Sequence, residues 1–354
     1  MAGRTAWVAL VAVLGAVLVS GQAQASGRTD LLCADDTGDD ERINAATAAS
    51  APGDEIVLQG TCLIDGTIRL ASDRTYRGLS RSGTVIRQAP GANLDAMLAS
   101  DSYLDDVPWT GGPVTVRSLT LEADRDRNPG GRDGLVLRSW QSVVDDIAVR
   151  GATRHGIRVT NLSANRTELT NTQVNGRITG SHIAGSGGRG VHVEDTRNSV
   201  TDWQLLDNWV EGSGTDGIGL DNAAGWLIRG NHVYGVGGVA LWAERLFGSS
   251  ITDNYLEDFT AAGIRVSVQG EAASTISGNR VFKANGGAGT FLETRVNYGV
   301  GNLVVTGNTI RGNGAGVGLD LQGPNLVVAS TGNLVTGVTV PRRIGAGVSV
   351  SAGV

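Results

Sequence analysis

Six dipeptides ending in asparagine recur along the second half of the chain: Asp207-Asn208, Gly230-Asn231, Asp253-Asn254, Gly278-Asn279, Gly307-Asn308 and Gly332-Asn333. Their asparagines lie 23, 23, 25, 29 and 25 residues apart. After each comes a short strand, then a glycine-rich bend, then a second strand of alternating apolar residues. Examples of the second strand are Gly190-Val191-His192-Val193, Gly217-Ile218-Gly219-Leu220, Gly238-Val239-Ala240-Leu241 and Gly263-Ile264-Arg265-Val266. Upstream, Gly134-Leu135-Val136-Leu137 and Gly156-Ile157-Arg158-Val159 carry the same pattern. Short period-2 strands repeated every 20 to 30 residues or so mark a solenoid, and the absence of any 3.6-period segment excludes the helical and leucine-rich kinds. Asparagine tolerates the left-handed backbone of a tight corner, and stacked amides hydrogen-bond from coil to coil. Coils stack about 4.8 Å apart, so about eleven coils between Ile56 and Val340 predict a rod roughly 50 Å long. The predicted fold is all-β: a single right-handed parallel β-helix over residues 26–354, its hand following from the crossover rule.

Composition agrees with this reading. Glycine supplies 53 of 354 residues, which disfavours helices because each interior glycine costs about 1 kcal/mol relative to alanine. The glycines show no every-third-residue period, so collagen is excluded. Twenty-nine basic residues against 35 acidic ones give a net charge of −6, the opposite of a nucleic-acid binder's footprint. An anionic partner must therefore meet a local basic patch.

Residues 1–25 combine a basic start at Arg4, an apolar run from Ala6 to Val19 and the small-x-small pattern Ala23-Gln24-Ala25. This predicts a secretory signal peptide, too short and too cleanly terminated to be a membrane span, on a secreted bacterial protein. Cys33 and Cys62 are then expected to form a disulfide in an oxidising compartment. A helix is predicted from Asp39 to Ser50, with acidic residues at its start and Ala51-Pro52-Gly53 after it, capping the first coil. The acidic run from Asp35 to Glu41 lacks the ligand spacing of a calcium-binding EF-hand. Residues 101–112 and 123–133 read as loops ejected from the rod.

The stretch from Asp35 to Ile86, with Gly53-Asp54-Glu55-Ile56-Val57-Leu58, Thr67-Ile68-Arg69-Leu70 and Gly83-Thr84-Val85-Ile86, resembles the N-terminal coils of the pectate-lyase-like β-helix superfamily. That resemblance implies a secreted polysaccharide lyase, a hydrolase, an epimerase or a tailspike. A fainter similarity links Asp207-Asn208-Trp209-Val210-Glu211 through Leu220 to the inulin fructotransferases, whose essential glutamate falls on Gly219 here. Neither the lysine and arginine signature of alginate or chondroitin lyases nor the Asp-Pro-His-Asp signature of alginate epimerases is present. Fold alone does not settle function.

In the second strands the apolar residues point inward and their alternates outward. The expected outward grid runs Asp133, Val136, Arg138; His155, Arg158, Thr160; Arg189, His192, Glu194; Asp216, Gly219, Asp221; Gly237, Ala240, Trp242; Ala262, Arg265, Ser267. Glu194 and Asp221 fall one coil spacing apart. Such a pair raises one pKa, or shares a cation such as Ca2+ with Asp216. His192 is the better base on pKa grounds, and Arg189 the arginine beside it. His155, Arg158, Arg265 and the outward Trp242 are the expected contacts to substrate, the arginines clamping a uronate carboxylate and the indole stacking on a sugar ring. Gly219 and Gly237 are expected to leave a shallow groove suited to an extended polymer. The expected function is cleavage of an acidic polysaccharide by β-elimination. A glycoside hydrolase or fructan-acting enzyme using the paired carboxylates, and a non-catalytic glycan-binding surface protein, are the alternatives.

Overall fold

The computed structural model describes residues 27–285 and 287–352; the expected leader lies outside them. The chain winds as a parallel β-helix whose coils present three faces. Eleven parallel strands stack to form sheet C, from Ile68–Leu70 to Val340–Ile344. Twenty-three further strands make sheets A and B, joined through the long strand Glu55–Ile64, whose first half pairs in A and second half in B, and Gln173–Val174 pairs separately with Val200–Thr201. Each rung buries the inward alternates, such as Val191, Val193, Ile218, Leu220, Ile264 and Val266, against the rungs above and below. Trp203 and Trp226 also lie inside, their rings stacked with centroids 5.8 Å apart. These rows remove apolar area from water along the whole rod, the dominant favourable term in folding.

The asparagine column forms the expected ladder between sheets A and B. Each amide Nδ2 from Asn208 through Asn308 donates to the Oδ1 of the next asparagine at 2.9 to 3.0 Å. The same oxygen also accepts the preceding asparagine's backbone N–H. Ser181 begins the column, its hydroxyl accepting the Ile147 N–H. One expectation needs correcting: the left-handed residue is the one before each asparagine, with φ of 55° at Asp207, 69° at Gly230, 57° at Asp253 and 67° at Gly278. The dipeptide divides the labour, because Asp or Gly takes the strained corner and Asn satisfies the buried backbone groups.

At the N-terminal end, Cys33 and Cys62 form the expected disulfide, with Cα atoms 4.9 Å apart. Helix α1, Asp39–Ala49, covers the first coil. The buried Asp39 carboxylate accepts the Ala34 and Leu63 N–H groups at 3.0 Å and pairs with Arg42. The acidic run is thus spent on capping. An unanticipated strand, Arg28–Leu32, pairs with Glu55–Gln59 and starts the rod ahead of the helix.

The ejected 101–112 segment opens with the short helix α2, Asp101–Leu104, and lies over sheet C. A third excursion, residues 161–172, joins it. Arg138, expected on the outward grid, is instead fully buried between them. Its guanidinium donates to the carbonyls of Ser102 (2.9 Å), Val107 (2.7 Å) and Thr167 (3.1 Å). Desolvation lowers its pKa to about 10, still above neutrality, so a buried cation pins the two loops together.

Candidate active site on sheet C

The outward column of sheet C reads, coil by coil, Val136, Arg158, His192, Gly219, Trp242, Arg265, Glu293, Asp320 and Arg343. Beside it run Thr160, Glu194 and Asp221. The expected register holds through Asp221 and then slips by two residues. Ile218 pairs with Leu241, which sets Trp242 beside Gly219 and buries Ala240. The cause is Gly235-Val236-Gly237-Gly238: the glycine that precedes the strand comes two residues earlier in this coil, so the strand begins at Val239, two residues ahead of the partner of Ile218.

Glu194 and Asp221 are backbone neighbours across one coil boundary, but each is held by a different arginine. Asp221 receives Arg189 Nη1 at 2.8 Å on both oxygens and His192 Nε2 at 2.9 Å. Burial alone would raise its pKa; the His192 hydrogen bond and the Arg189 charge outweigh that and hold it below the ordinary carboxylate value. An ionised acceptor fixes the proton on Nε2 and leaves the lone pair of His192 on Nδ1. That atom is buried without a hydrogen-bond partner. Arg189 also reaches Asp216 through Nε at 3.1 Å, while Asp216 accepts the Val239 N–H at 2.8 Å.

Gly219 is not a gap. A Cβ there would lie 2.6 Å from Arg189 Cδ and Nε, so the missing side chain is what lets the guanidinium cross the coil to Asp221. Gly237 sits in the turn, where a Cβ would strike the Gly214 carbonyl at 2.2 Å; it forms no part of the face.

One coil toward the N-terminus, Glu194 accepts from Arg158 Nε at 2.9 Å and from Thr160 Oγ1 at 3.2 Å. Burial opposes ionisation, yet the Arg158 charge and hydrogen bond lower its pKa as well. Asp133, buried below, accepts from Arg154 Nε at 2.8 Å and lies 3.5 Å from Arg158 Nη1. His155 Nδ1 accepts the Arg189 N–H at 3.1 Å, and its ring lies 4.3 Å from that of His192. Burial, with the neighbouring His192, pushes the His155 pKa down to about 3, so it stays neutral near pH 7.

Above Arg158 opens a cleft of about 200 Å³ lined by Tyr103, Arg132, Arg154, Arg158, Ser163 and Arg166, with one carboxylate, Asp95, paired to Arg132 at 2.9 Å. Sequence reasoning missed Tyr103, Arg132, Arg154 and Arg166. A signal existed for two of them: Arg132 and Arg154 both stand two residues before the glycine that opens a second strand. Tyr103 and Arg166 lie in the excursions, where no periodicity places a side chain.

The structure thus brings together Arg158, His155, Arg189, His192, Glu194, Asp216 and Asp221. Trp242 and Arg265 lie further along, and they face each other, the guanidinium 5.9 Å from the indole centroid. Arg265 is also tied to Glu293 at 2.8 Å; with Arg343 on Asp320, that end of the column is a ladder of paired charges. Among the described residues no three histidine, cysteine or carboxylate side chains gather as metal ligands, and the carboxylates expected to share Ca2+ are bound to arginines.

Two overlapping stretches, residues 132–298 and 169–331, match the family model of the right-handed β-helix region. The chain belongs to the right-handed β-helix family. Solved β-helices similar to it include the A-module of the mannuronan C-5 epimerase AlgE4 from Azotobacter vinelandii, at 14% identity over 90% of this chain and 96% of that one, TM-score 0.61. The Yersinia enterocolitica family 28 exopolygalacturonase aligns at 10% identity over 93% and 79%, TM-score 0.58. No curated protein sequence matches the chain. At these identities the likeness establishes the β-helix itself.

Proposed function

We propose that this β-helix is an exported polysaccharide lyase that opens an acidic polymer by β-elimination on sheet C. The observation that carries the reading is the arginine-lined cleft at Arg158 lying on the same face as an imidazole oriented by a carboxylate, His192 on Asp221. Both Glu194 and Asp221 have lowered pKa values, whereas a glycoside hydrolase needs one carboxyl raised and protonated. That argues against the paired-carboxylate alternative. The names of the neighbours, mannuronan epimerase and exopolygalacturonase, agree with a polyuronate as substrate. The Cys33–Cys62 bridge agrees with export, and no helix of the described residues is long and apolar enough to cross a membrane.

In this mechanism the arginines neutralise the uronate carboxylate, which acidifies the adjoining C5–H. His192 takes that proton, the C–H electron pair becomes the C4–C5 double bond, and the C4–O bond breaks. The departing oxygen is protonated from water, and His192 returns its proton to solvent. Because Nδ1 is covered in the resting chain, the ring must tilt about its Asp221 hydrogen bond toward the groove as the polymer enters. Asp221 holds the orientation and stabilises the imidazolium; Arg189 keeps Asp221 ionised.

The test is incubation with a panel of polyuronates while following the ultraviolet absorbance of unsaturated uronides. Absorbance growth by wild type and its loss in His192→Ala supports the reading. New reducing ends without absorbance indicate hydrolysis, and solvent deuterium entering C5 without cleavage indicates epimerisation; either result overturns it.

A further inference from the structure

The groove on sheet C has one closed end. On the coils before Arg158, the outward positions Ala99 and Val136 are fully buried, packed with Tyr103 and Leu104 of helix α2 in an apolar cluster separate from the rod's interior. This wall is well anchored. Ala164 donates its N–H to the Tyr103 carbonyl at 3.0 Å, Thr170 donates to the Pro108 carbonyl at 2.7 Å, and Arg138 ties both excursions from beneath. The arginine cleft lies directly against it, with the Arg158 guanidinium 5.8 Å from the Tyr103 ring centroid. In the other direction the face continues past His192 to Trp242 and Arg265, with no covering element of this kind among the described residues.

A polymer lying along this face can extend toward the C-terminal coils but meets Tyr103 at the other end. We infer that the protein engages its polymer at a chain end, seating the terminal acidic residue in the cleft of Arg132, Arg154, Arg158 and Arg166. This rests on the functional reading above and adds the mode of action. The cleft is smaller than the roughly 300–1,000 Å³ of pockets that enclose a drug-sized ligand, which suits one sugar residue. Arg132 and Arg166 are its solvent-facing cations, with side chains 54% and 68% exposed. Each has a carboxylate neighbour at rest, Asp95 2.9 Å from Arg132 and Glu194 3.7 Å from Arg166, and each must turn from it onto a bidentate uronate carboxylate.

Chain-end recognition makes a stoichiometric prediction that does not depend on turnover. With the His192→Ala variant, which leaves the polymer intact, calorimetric titration of a short uronate oligomer and of a long polymer of the same sugar should each give one protein per chain. Arg166→Ala should weaken both about tenfold, the loss of one charge-assisted contact. With wild type, product should appear as a single small uronide from the earliest time point. If the number of bound proteins grows with chain length, or if early products span many sizes, end recognition is overturned while the lyase reading stands. If no polyuronate binds, both fall together.

Discussion

His192 and Asp221 meet at 2.9 Å across a single coil boundary, on strands paired residue for residue. Arg189 reaches the same carboxylate from the preceding turn. Only the parallel stacking of the coils brings residues 29 apart in sequence to this distance.

Substituting Asp221→Asn keeps the shape but leaves the imidazole without an ionised acceptor. We expect activity on the cleaved polyuronate to fall at least about 100-fold with little change in melting temperature, and Glu194→Gln to fall less because Arg158 retains Asp133. Steady-state kinetics beside a thermal melt decide this; full activity in Asp221→Asn would remove the carboxylate from the mechanism.

Gly219→Ala places a methyl where Arg189 now lies. Arg189 should leave Asp221, and activity should drop by an amount comparable to Asp221→Asn. The backbone φ at this position is not left-handed, so stability should change by only about 1 kcal/mol. Unchanged activity would show that the arginine is not needed on Asp221.

His155 gives a pH signature. Its folded pKa of about 3 lies below its ordinary 6.5, so between these values the unfolded chain binds the extra proton. Stability is therefore complete above about pH 6.5 and declines as pH falls toward 3. The carboxylates Glu194 and Asp221, whose pKa values are lowered, contribute their own loss only further down, near and below their unfolded values. His155→Phe should flatten the decline between pH 6.5 and 5 in a series of melting curves; an unaltered slope there would mean His155 is protonated in the native state.

Asn254→Leu removes four side-chain hydrogen bonds at once: two accepted from Asn231 and two donated, to Asn279 and to the Ile228 carbonyl. The backbone N–H of Asn231 is left buried and unpaired, so denaturant unfolding should show a loss of about 3 kcal/mol or more. Asp253→Gly, at the left-handed neighbour, should cost nothing or stabilise slightly. A larger loss from Asp253→Gly than from Asn254→Leu would reverse the assigned division of labour.

The fold was legible because its determinants repeat. From Asn208 to Asn333 each coil restates the same Asn, and glycine bends and inward pairs recur along the rod, so an error at one coil is corrected by its neighbours. The candidate site was legible only where it shares that repetition: Arg158, His192, Glu194 and Asp221 fall on pattern positions of sheet C. The register slipped after Asp221 because the Gly235–Gly238 run offers several equivalent starts to the strand. Tyr103, Arg166 and the burial of Arg138 depend on excursions that obey no period. Gly219 was misread for a different reason. An absent side chain looks like empty space in a sequence, while in the folded chain a neighbour's guanidinium fills it.

All the ladder amides point the same way, each handing its proton to the next coil toward the C-terminus. From Asn231 to Asn333 the rod is therefore built of interchangeable units, while the wall, the arginine cleft and the His192–Asp221 pair lie on or before the coil of Asn208 and Asp221. A whole coil added or deleted within the interchangeable region would preserve every amide contact by moving each acceptor one unit along. Descendants of such a gene can lengthen or shorten the track available to a bound polymer, in steps of one rung, without disturbing the chemistry at its closed end.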